Sequence, residues 1–171
     1  LDPEALEGRL REIAERRDGG TYNRLTGRRI AAVVPMHTFG HPVDMDGLIR
    51  VLEPWGIPIV EDAAESLGST AAGRPLGGRG FIGATSFNGN KIITTGGGGA
   101  VLTDDAELGA RAKYLTTTAK RAHKWEFFHD VTGFNYRLPN INAALGCAQL
   151  EQLPGFLAAK RRLAERYAEV F

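Results

Sequence analysis

Apolar residues recur along the chain in two patterns, one typical of surface helices and one of buried strands. Near the start, Leu6, Leu10 and Ile13 recur at helical spacing among charged residues, which predicts an amphipathic helix over Pro3–Arg17. Elsewhere, short continuous apolar runs are typical of strands that are buried on both faces of a parallel sheet. The predicted strands are Ile30–Pro35, Ile57–Val60, Phe81–Phe87 and Ala100–Thr103.

Helical patterns lie between and after these strands. The predicted helices run from Asp44 to about Trp55, from Asp104 or Asp105 to about Leu115, from Ile141 to about Leu153 and from Gly155 to Phe171. An aspartate at the start of each of the first two is a suitable N-cap. Pro154 predicts a break between the last two. Strands that alternate with helices predict an α/β layered fold with a mainly parallel sheet.

Three segments show no regular spacing of apolar residues. Asp18–Arg29 contains several glycines and polar residues and predicts an exposed loop. Asn88–Gly99 is rich in Gly, Asn and Thr and ends in four consecutive glycines, which leave room for a backbone or a ligand to approach closely. A flexible turn is the simpler explanation of that run. Thr116–Asn140 combines aromatic and basic residues and predicts a long functional loop.

Composition narrows the class of protein. The chain is 43% hydrophobic and 24% charged, which is typical of a folded globular protein, and its formal charge of +1 argues against a nucleic-acid or membrane-surface binder. We therefore expect a small-molecule ligand or another subunit as the partner. Cys147 is the only cysteine, which excludes an intrachain disulfide and favours a buried thiol in a reducing, cytoplasmic compartment.

Candidate chemistry lies where the apolar runs end, because ligands of open parallel sheets bind beyond the carboxyl ends of the strands. Asp62 follows Ile57–Val60, and its carboxylate is suited either to pair with a heterocyclic nitrogen or to cap a helix. Ser86 and Lys91 flank the end of the third strand. A lysine on such a turn is either a solvated loop cation or a reactive amine.

Other kinds of site are less compatible with the sequence. Four residues are of metal-ligating types: His37, His41, Asp44 and Asp46. Gly40 and Pro42 break any helix that would place both histidines on one face, which disfavours a metal site. The glycine run lacks the Gly-Lys-Ser/Thr ending of a nucleotide-binding P-loop. The aromatic and basic loop could form a single-stranded nucleic-acid platform, but the near-zero net charge argues against it.

Four motifs that follow one another along the chain carry a resemblance to a known family. They are Pro42–Asp46, Val60–Gly68, Ser86–Gly99 and Gly133–Asn140. Together they resemble the DegT/DnrJ/EryC1/StrS sugar aminotransferases, and the resemblance covers nearly the whole chain. Four ordered motifs with compatible spacing are far more specific than any one alone. Within the family, the sequence is most similar to the branch that aminates UDP-linked 4-keto-6-deoxy-N-acetyl sugars.

The resemblance implies a fold and a cofactor. The fold is the large-domain core of the fold-type-I, aspartate aminotransferase-like transferases, with a mainly parallel sheet flanked by helices. The cofactor is pyridoxal 5'-phosphate, with Lys91 as the Schiff-base lysine and catalytic residue, Asp62 on the pyridine nitrogen and Ser86 on the phosphate. Asn88 belongs to the implied cofactor-binding set. Glu65 stands where the family often has Gln or His, near the cofactor ring or its phenolic oxygen.

The resemblance also implies a homodimer with a shared active site. Asn135 matches the asparagine that reaches across a dimer to the phosphate of the partner's cofactor, and Arg137 assists there. The implied reaction transfers an amino group, usually from L-glutamate, to a nucleotide-linked keto sugar for surface-glycan precursors. Residues 1–153 are then expected to be the cofactor-binding large-domain segment. Residues 154–171 are expected to lead toward a small C-terminal domain, with further family elements upstream of residue 1.

Two alternatives remain open. One is a catalytically silent fragment or binding module that keeps the fold. The other is a pyridoxal-phosphate-dependent sugar dehydratase, although relatives with that activity replace the lysine with His, and Lys91 argues against it.

Overall fold

The computed structural model describes all 171 residues, which divide into two compact units. Unit 1 comprises Leu1–Thr85 with Leu102–Asp104, and unit 2 comprises Ser86–Val101 with Asp105–Phe171. No helix combines the length and the hydropathy that crossing a bilayer requires.

Unit 1 begins with helix α1, Pro3–Ile13, which Asp2 caps by accepting the N–H of Glu4 at 2.8 Å. The strands β1, Ala14–Arg17, and β2, Gly20–Asn23, then form an antiparallel hairpin. The prediction of a helix through Arg17 is therefore wrong for Ala14–Arg17, which form a strand. The predicted loop, Asp18–Arg29, contains the second strand of this hairpin. The cause is Asp18-Gly19, a two-residue sequence that favours tight hairpin turns, with Gly19 at a φ of +87°.

The core of unit 1 forms around helix α2, Met45–Leu52, whose N-cap Asp44 accepts the N–H of Gly47 at 2.9 Å. A short 3-10 helix extends it to Trp55, which confirms the predicted helix from Asp44 to about Trp55. The apolar face of α2 packs in one buried cluster with residues from α1, from the start of β1 and from the segment that leads into the next strand. The buried members are Leu10, Ala14, Met45, Leu48, Val51, Leu52, Ile57 and Ile59.

The remaining strands are β3, Val60–Asp62; β4, Thr70–Ala71; β5, Arg74–Pro75; β6, Ile82–Ser86; and β7, Gly99–Leu102. The strands β3, β6 and β7 form one sheet in that order, with β3 parallel to β6 and Asp62 opposite Ala84. The strands β4 and β5 form a small antiparallel hairpin. The strands β6 and β7 agree closely with two of the four predicted strands, Phe81–Phe87 and Ala100–Thr103, whereas β3 overlaps the predicted Ile57–Val60 only at Val60.

The first predicted strand, Ile30–Pro35, is extended but does not form a continuous strand. Two isolated parallel bridges, Val33 to Ile59 and Met36 to Asp62, connect this segment to the chain around β3. Pro35 has no N–H to donate, so the ladder is interrupted there, although its carbonyl accepts the N–H of Asp62 at 2.9 Å.

Unit 2 contains two helices. Helix α3, Ala106–Thr116, begins at Asp105 as predicted, with the N–H of Leu108 2.9 Å from the Asp105 carboxylate. Helix α4 runs from Asn140 to Val170 with Pro154 inside it, so the predicted break is wrong. Proline removes one N–H donor at a local cost of about 3 kcal/mol, and the helical residues on both sides offset it.

Most of α4 is exposed in this chain. Gly146 is its only buried residue, and the neighbouring Cys147 is exposed, so the prediction of a buried thiol is wrong. Between α3 and α4, isolated antiparallel bridges pair Thr117 with Asn135 and Lys120 with His129. The predicted long loop is therefore an irregular hairpin.

Candidate active site

Asp62 lies at the carboxyl end of β3 and is half-buried. Its N–H donates to Pro35, and its carbonyl accepts the N–H of His37 at 3.0 Å. The Oδ1 atom accepts the N–H of Ala64 at 3.1 Å, in a turn that no helix follows, so Asp62 is not a helix cap. This bond anchors the carboxylate through Oδ1 at the end of a parallel strand, and a carboxylate is suited to accept a ligand N–H.

Glu61, the residue before Asp62, has a fully buried side chain. Its Oε2 atom lies 3.0 Å from Nε2 of His37 and accepts the N–H of Gly77 at 2.8 Å, while Oε1 accepts the N–H groups of Arg79 and Gly80. Burial, the largest influence, raises the pKa of Glu61, but the hydrogen bonds together outweigh it and hold the pKa below its ordinary value. The carboxylate is therefore ionised and fully hydrogen-bonded.

Glu65 follows in the turn after β3 and holds a short 3-10 helix, Thr38–Gly40. Its Oε2 atom accepts the N–H of Phe39 at 2.9 Å. A Cβ atom on Gly40, whose φ is +80°, would lie only 2.8 Å from the carbonyl oxygen of Glu65. Phe39 itself has a φ of +54°, an uncommon conformation for a bulky residue. The segment after His37 thus packs tightly against the turn that carries Glu65.

Ser86, Asn88 and Lys91 share one turn at the start of unit 2. The hydroxyl oxygen of Ser86 accepts the N–H of Asn88 at 3.2 Å, and the N–H of Lys91 donates to the Asn88 carbonyl at 3.1 Å. Ser86 and Lys91 are half-buried, whereas Asn88 is exposed. The turn therefore places a hydroxyl group, an amide and an amine within one short loop.

Helix α4 anchors the segment that follows Lys91. Asn142 donates from Nδ2 to the carbonyl of Thr95, and Gln149 accepts the N–H of Thr94 at 3.2 Å. Between them, Gly146 lies so close that a Cβ atom would be 3.0 Å from a Thr95 methyl carbon. These three helical residues lie on one face of α4, because they are spaced four and three apart. The loop after Lys91 is consequently fixed to a long helix.

Two of the four glycines in the run are required by the backbone, so the run is more than a flexible turn. Gly96 and Gly98 have φ values of +79° and +102°, which residues with a side chain rarely adopt. A Cβ atom on Gly98 would lie 2.8 Å from a methyl carbon of Leu138. The close approach expected from the sequence is therefore present, here between two parts of unit 2.

Asn135 and Arg137 lie in the extended segment before α4. Asn135 pairs with Thr117 across an antiparallel bridge, and Arg137 donates from Nη2 to the Thr117 carbonyl at 3.3 Å. Both are exposed. Side chains of an extended segment alternate, so these two residues lie on one side. The stacked rings of Phe134 and Tyr136, 5.3 Å apart, lie on the other.

The predicted site residues therefore fall into three local groups, each with a defined structure. The groups are Asp62 with Glu65 in unit 1, Ser86 with Asn88 and Lys91 in unit 2, and Asn135 with Arg137 in unit 2. The convergence of Lys91 and Asp62 on one ring stays a prediction.

Glu61 is a buried carboxylate next to Asp62 to which the sequence interpretation assigned no role, and His37 was considered only as a metal-ligand type. In the structure His37 binds Glu61, Asp44 caps α2, and Asp46 pairs with Arg79. A charged residue inside an apolar strand was the available signal, because a buried carboxylate requires partners.

Comparison with known proteins decides the family. A sequence model described as the DegT/DnrJ/EryC1/StrS aminotransferase family matches residues 21–171. The chain belongs to this family. A relative called GDP-perosamine synthase, from Escherichia coli O157:H7, is 41% identical over 136 residues, which are 80% of this chain and 37% of that protein. A second relative, from Acidithiobacillus ferrooxidans, is named a UDP-N-acetyl-3-dehydro-alpha-D-glucosamine 3-aminotransferase and is 35% identical over 144 residues.

A solved structure supports the same assignment. The crystal structure of a DegT DnrJ EryC1 StrS aminotransferase from Brucella abortus matches 99% of this chain with a TM-score of 0.83 and 28% sequence identity. The chain covers 43% of that structure, and 82% of the chain matches 38% of the Acidithiobacillus relative. This family member thus spans less than half the length of the relatives that it matches.

Proposed function

We propose that this chain is the cofactor-binding segment of a pyridoxal-phosphate-dependent aminotransferase that acts on a nucleotide-linked keto sugar in the cytoplasm. Membership of a sugar aminotransferase family supports the reaction class. The observation that carries the proposal is the carboxylate of Asp62, which is anchored through Oδ1 at the end of a parallel strand and is of the type that pairs with a ligand N–H. Ligands of open parallel sheets bind at such strand ends.

The residues present fit pyridoxal phosphate by their chemistry. Asp62 offers a carboxylate for a protonated ring nitrogen, Lys91 offers an amine for the aldehyde carbon, and Ser86 with Asn88 offers a hydroxyl and an amide for the phosphate. When bound, the cofactor supplies an electron sink for charge that develops on the substrate carbon.

Two residues of the chain perform the proton chemistry in this proposal. Asp62 keeps the ring nitrogen protonated, since its negative charge favours the cationic form. Lys91 would hold the cofactor through its amine, and the same amine would be placed to move a proton at the substrate carbon. One amine thereby serves as anchor and as general base and acid.

The remaining predicted residues complete the phosphate site and the dimer. Asn135 and Arg137 are exposed on one side of their segment, and in the proposal they reach the phosphate of a partner subunit's cofactor. The active protein is then a homodimer with shared sites. Glu65, which already holds the N–H of Phe39, lies beside the ring in this proposal.

The proposed substrate is a UDP-linked 4-keto-6-deoxy-N-acetyl sugar for surface-glycan precursor synthesis, with L-glutamate as the amino donor. The four sequence motifs favour that branch, while the named relatives act on GDP-linked and UDP-linked sugars. Mass analysis of products from matched UDP-linked and GDP-linked keto sugars separates these options. Gain of an amine from the UDP-linked sugar is expected, and loss of water without a gained amine would indicate a dehydratase instead.

Cofactor attachment is tested directly on the chain. The protein is mixed with pyridoxal phosphate, reduced with borohydride and digested, and the labelled peptide is identified by mass spectrometry. We expect the label on Lys91 and its loss in Lys91→Ala, with no loss in Lys113→Ala, a control at an exposed position of α3. Label spread over several surface lysines, or retained in Lys91→Ala, would support a catalytically silent module.

A further inference from the structure

His37 connects two consecutive residues of β3. Its ring is buried, with 1% of the residue exposed, and Nε2 lies 3.0 Å from the carboxylate of Glu61. Its backbone N–H donates to the carbonyl of Asp62 at 3.0 Å. The side chain of His37 thus binds Glu61, and the main chain of His37 binds Asp62, the next residue of the strand.

The hydrogen bonds define the protonation of the ring. The Nδ1 atom accepts the N–H of Val43 at 3.2 Å, so Nδ1 carries no proton. The proton is therefore on Nε2, from which it is donated to Glu61, and the ring is neutral. His37 is thereby fixed at both nitrogen atoms.

Glu61 is itself held in place by further hydrogen bonds, because three backbone N–H groups from residues 77–80 also bind its carboxylate. Side chains alternate along a strand, so Glu61 and Asp62 point to opposite faces of β3. The contacts that hold Glu61 on one face of the strand therefore also set the direction in which the Asp62 side chain points from the opposite face.

We propose that His37 is a positioning residue that orients the Asp62 carboxylate toward the cofactor ring nitrogen, through its ring on Glu61 and its N–H on Asp62. This inference rests on the proposed function. In this proposal His37 does not contact the cofactor or the substrate. The buried His37–Glu61 pair acts only by holding Asp62 in position.

The reporter for Asp62 needs no cofactor. The N–H of Ala64 donates to the Asp62 carboxylate, so hydrogen exchange at the Ala64 amide measures how well that carboxylate is held. In His37→Asn the shorter side chain does not reach Glu61, and we expect the Ala64 amide to exchange about tenfold faster. In His37→Gln the amide nitrogen replaces Nε2 as donor, and we expect exchange close to that of the unaltered chain. His41→Asn, at an exposed position of the same loop, is the matched control and should change nothing.

The second readout is the absorption spectrum of the protein with pyridoxal phosphate, which reports the protonation of the ring nitrogen. We expect His37→Asn to shift the spectrum while labelling of Lys91 persists, and His37→Gln to restore it. A merely structural role would lower the unfolding temperature of His37→Asn and leave the spectrum unchanged, which would overturn the proposal. Equal defects in His37→Asn and His37→Gln would also overturn it.

One measurement on the unaltered chain keeps the test decisive if His37→Asn does not fold. Nitrogen NMR of the His37 ring should show a neutral ring with the proton on Nε2, and a proton on Nδ1 would refute the arrangement. Absence of labelling at Lys91 in the unaltered chain would defeat the proposed function instead. The Ala64 exchange rates would then still decide whether His37 positions Asp62.

Discussion

Replacement of Glu61 by Gln tests the energetics of the buried carboxylate. Four donors bind its two oxygens: the His37 ring and Gly77 on Oε2, and Arg79 and Gly80 on Oε1. A carboxamide has the same shape but only one oxygen. Whichever way the amide is oriented, two buried donors then face an NH2 group and lose their acceptor.

The expected cost follows from that count. A buried donor left without a partner costs about 1–3 kcal/mol, so Glu61→Gln should lower the free energy of unfolding by about 2–6 kcal/mol at pH 7. At the lower limit, this corresponds to a fall of roughly 4 °C or more in the unfolding temperature of a chain of this size. Domains are typically stable by about 5–15 kcal/mol, so the effect is readily measured.

The same carboxylate gives a pH dependence of known sign. The pKa of Glu61 is below its ordinary value of 4.5 in the folded state, so its stabilisation is fully present above the unfolded pKa and is lost as pH falls through the folded pKa. Glu61→Gln lacks this titration. The difference between the two proteins should therefore be largest near neutral pH and should narrow in acid.

Urea unfolding followed by circular dichroism, at pH 7 and at stepwise lower pH, measures both effects. Glu151→Gln, at an exposed position of α4, is the matched control and should be within about 0.5 kcal/mol of the unaltered chain. If Glu61→Gln unfolds at the same urea concentration as that control, the four hydrogen bonds do not stabilise the fold and the reasoning is refuted.

Three further outcomes follow from particular contacts. Gly146→Val should destabilise the chain by about 1–3 kcal/mol, because a Cβ atom there already meets a methyl carbon at 3.0 Å, whereas Gly155→Ala, with nothing within 4 Å, should stabilise it by up to about 1 kcal/mol; urea unfolding compares the two. Pro154→Ala should increase helicity by circular dichroism and raise the unfolding temperature, since it restores a missing N–H donor; an unchanged or lower temperature would contradict this. Hydrogen bonding to Asp130 raises the pKa of Tyr114, so Asp130→Asn should shift Tyr114 ionisation to lower pH in an NMR titration, and an unshifted midpoint would argue against the contact.

Elements that depend on local chemistry were predictable from the sequence. The aspartates that cap α2 and α3 lie directly before the helical patterns that they begin. The apolar runs Phe81–Phe87 and Ala100–Thr103 predicted strands whose ends are each within one residue of the observed ends. Such signals lie within a few residues of the structure that they specify.

Features that depend on distant partners were not predictable in this way. His37 and Glu61 are 24 residues apart, and nothing in either local pattern shows that they meet. The helix at Pro154 likewise continues because many surrounding residues favour it, which a single breaker residue does not reveal. The hairpin turn at Asp18-Gly19 did carry a local signal, and its Asp-Gly sequence outweighed the apparent helical period of the preceding residues.

The most direct test is a crystal structure of the chain after treatment with pyridoxal phosphate and borohydride. We predict a covalent bond from Nζ of Lys91 to the cofactor and an Asp62 carboxylate oxygen about 2.7–3.0 Å from the pyridine nitrogen. A cofactor attached to a different lysine, or a pyridine nitrogen facing away from Asp62, would contradict the proposed active site.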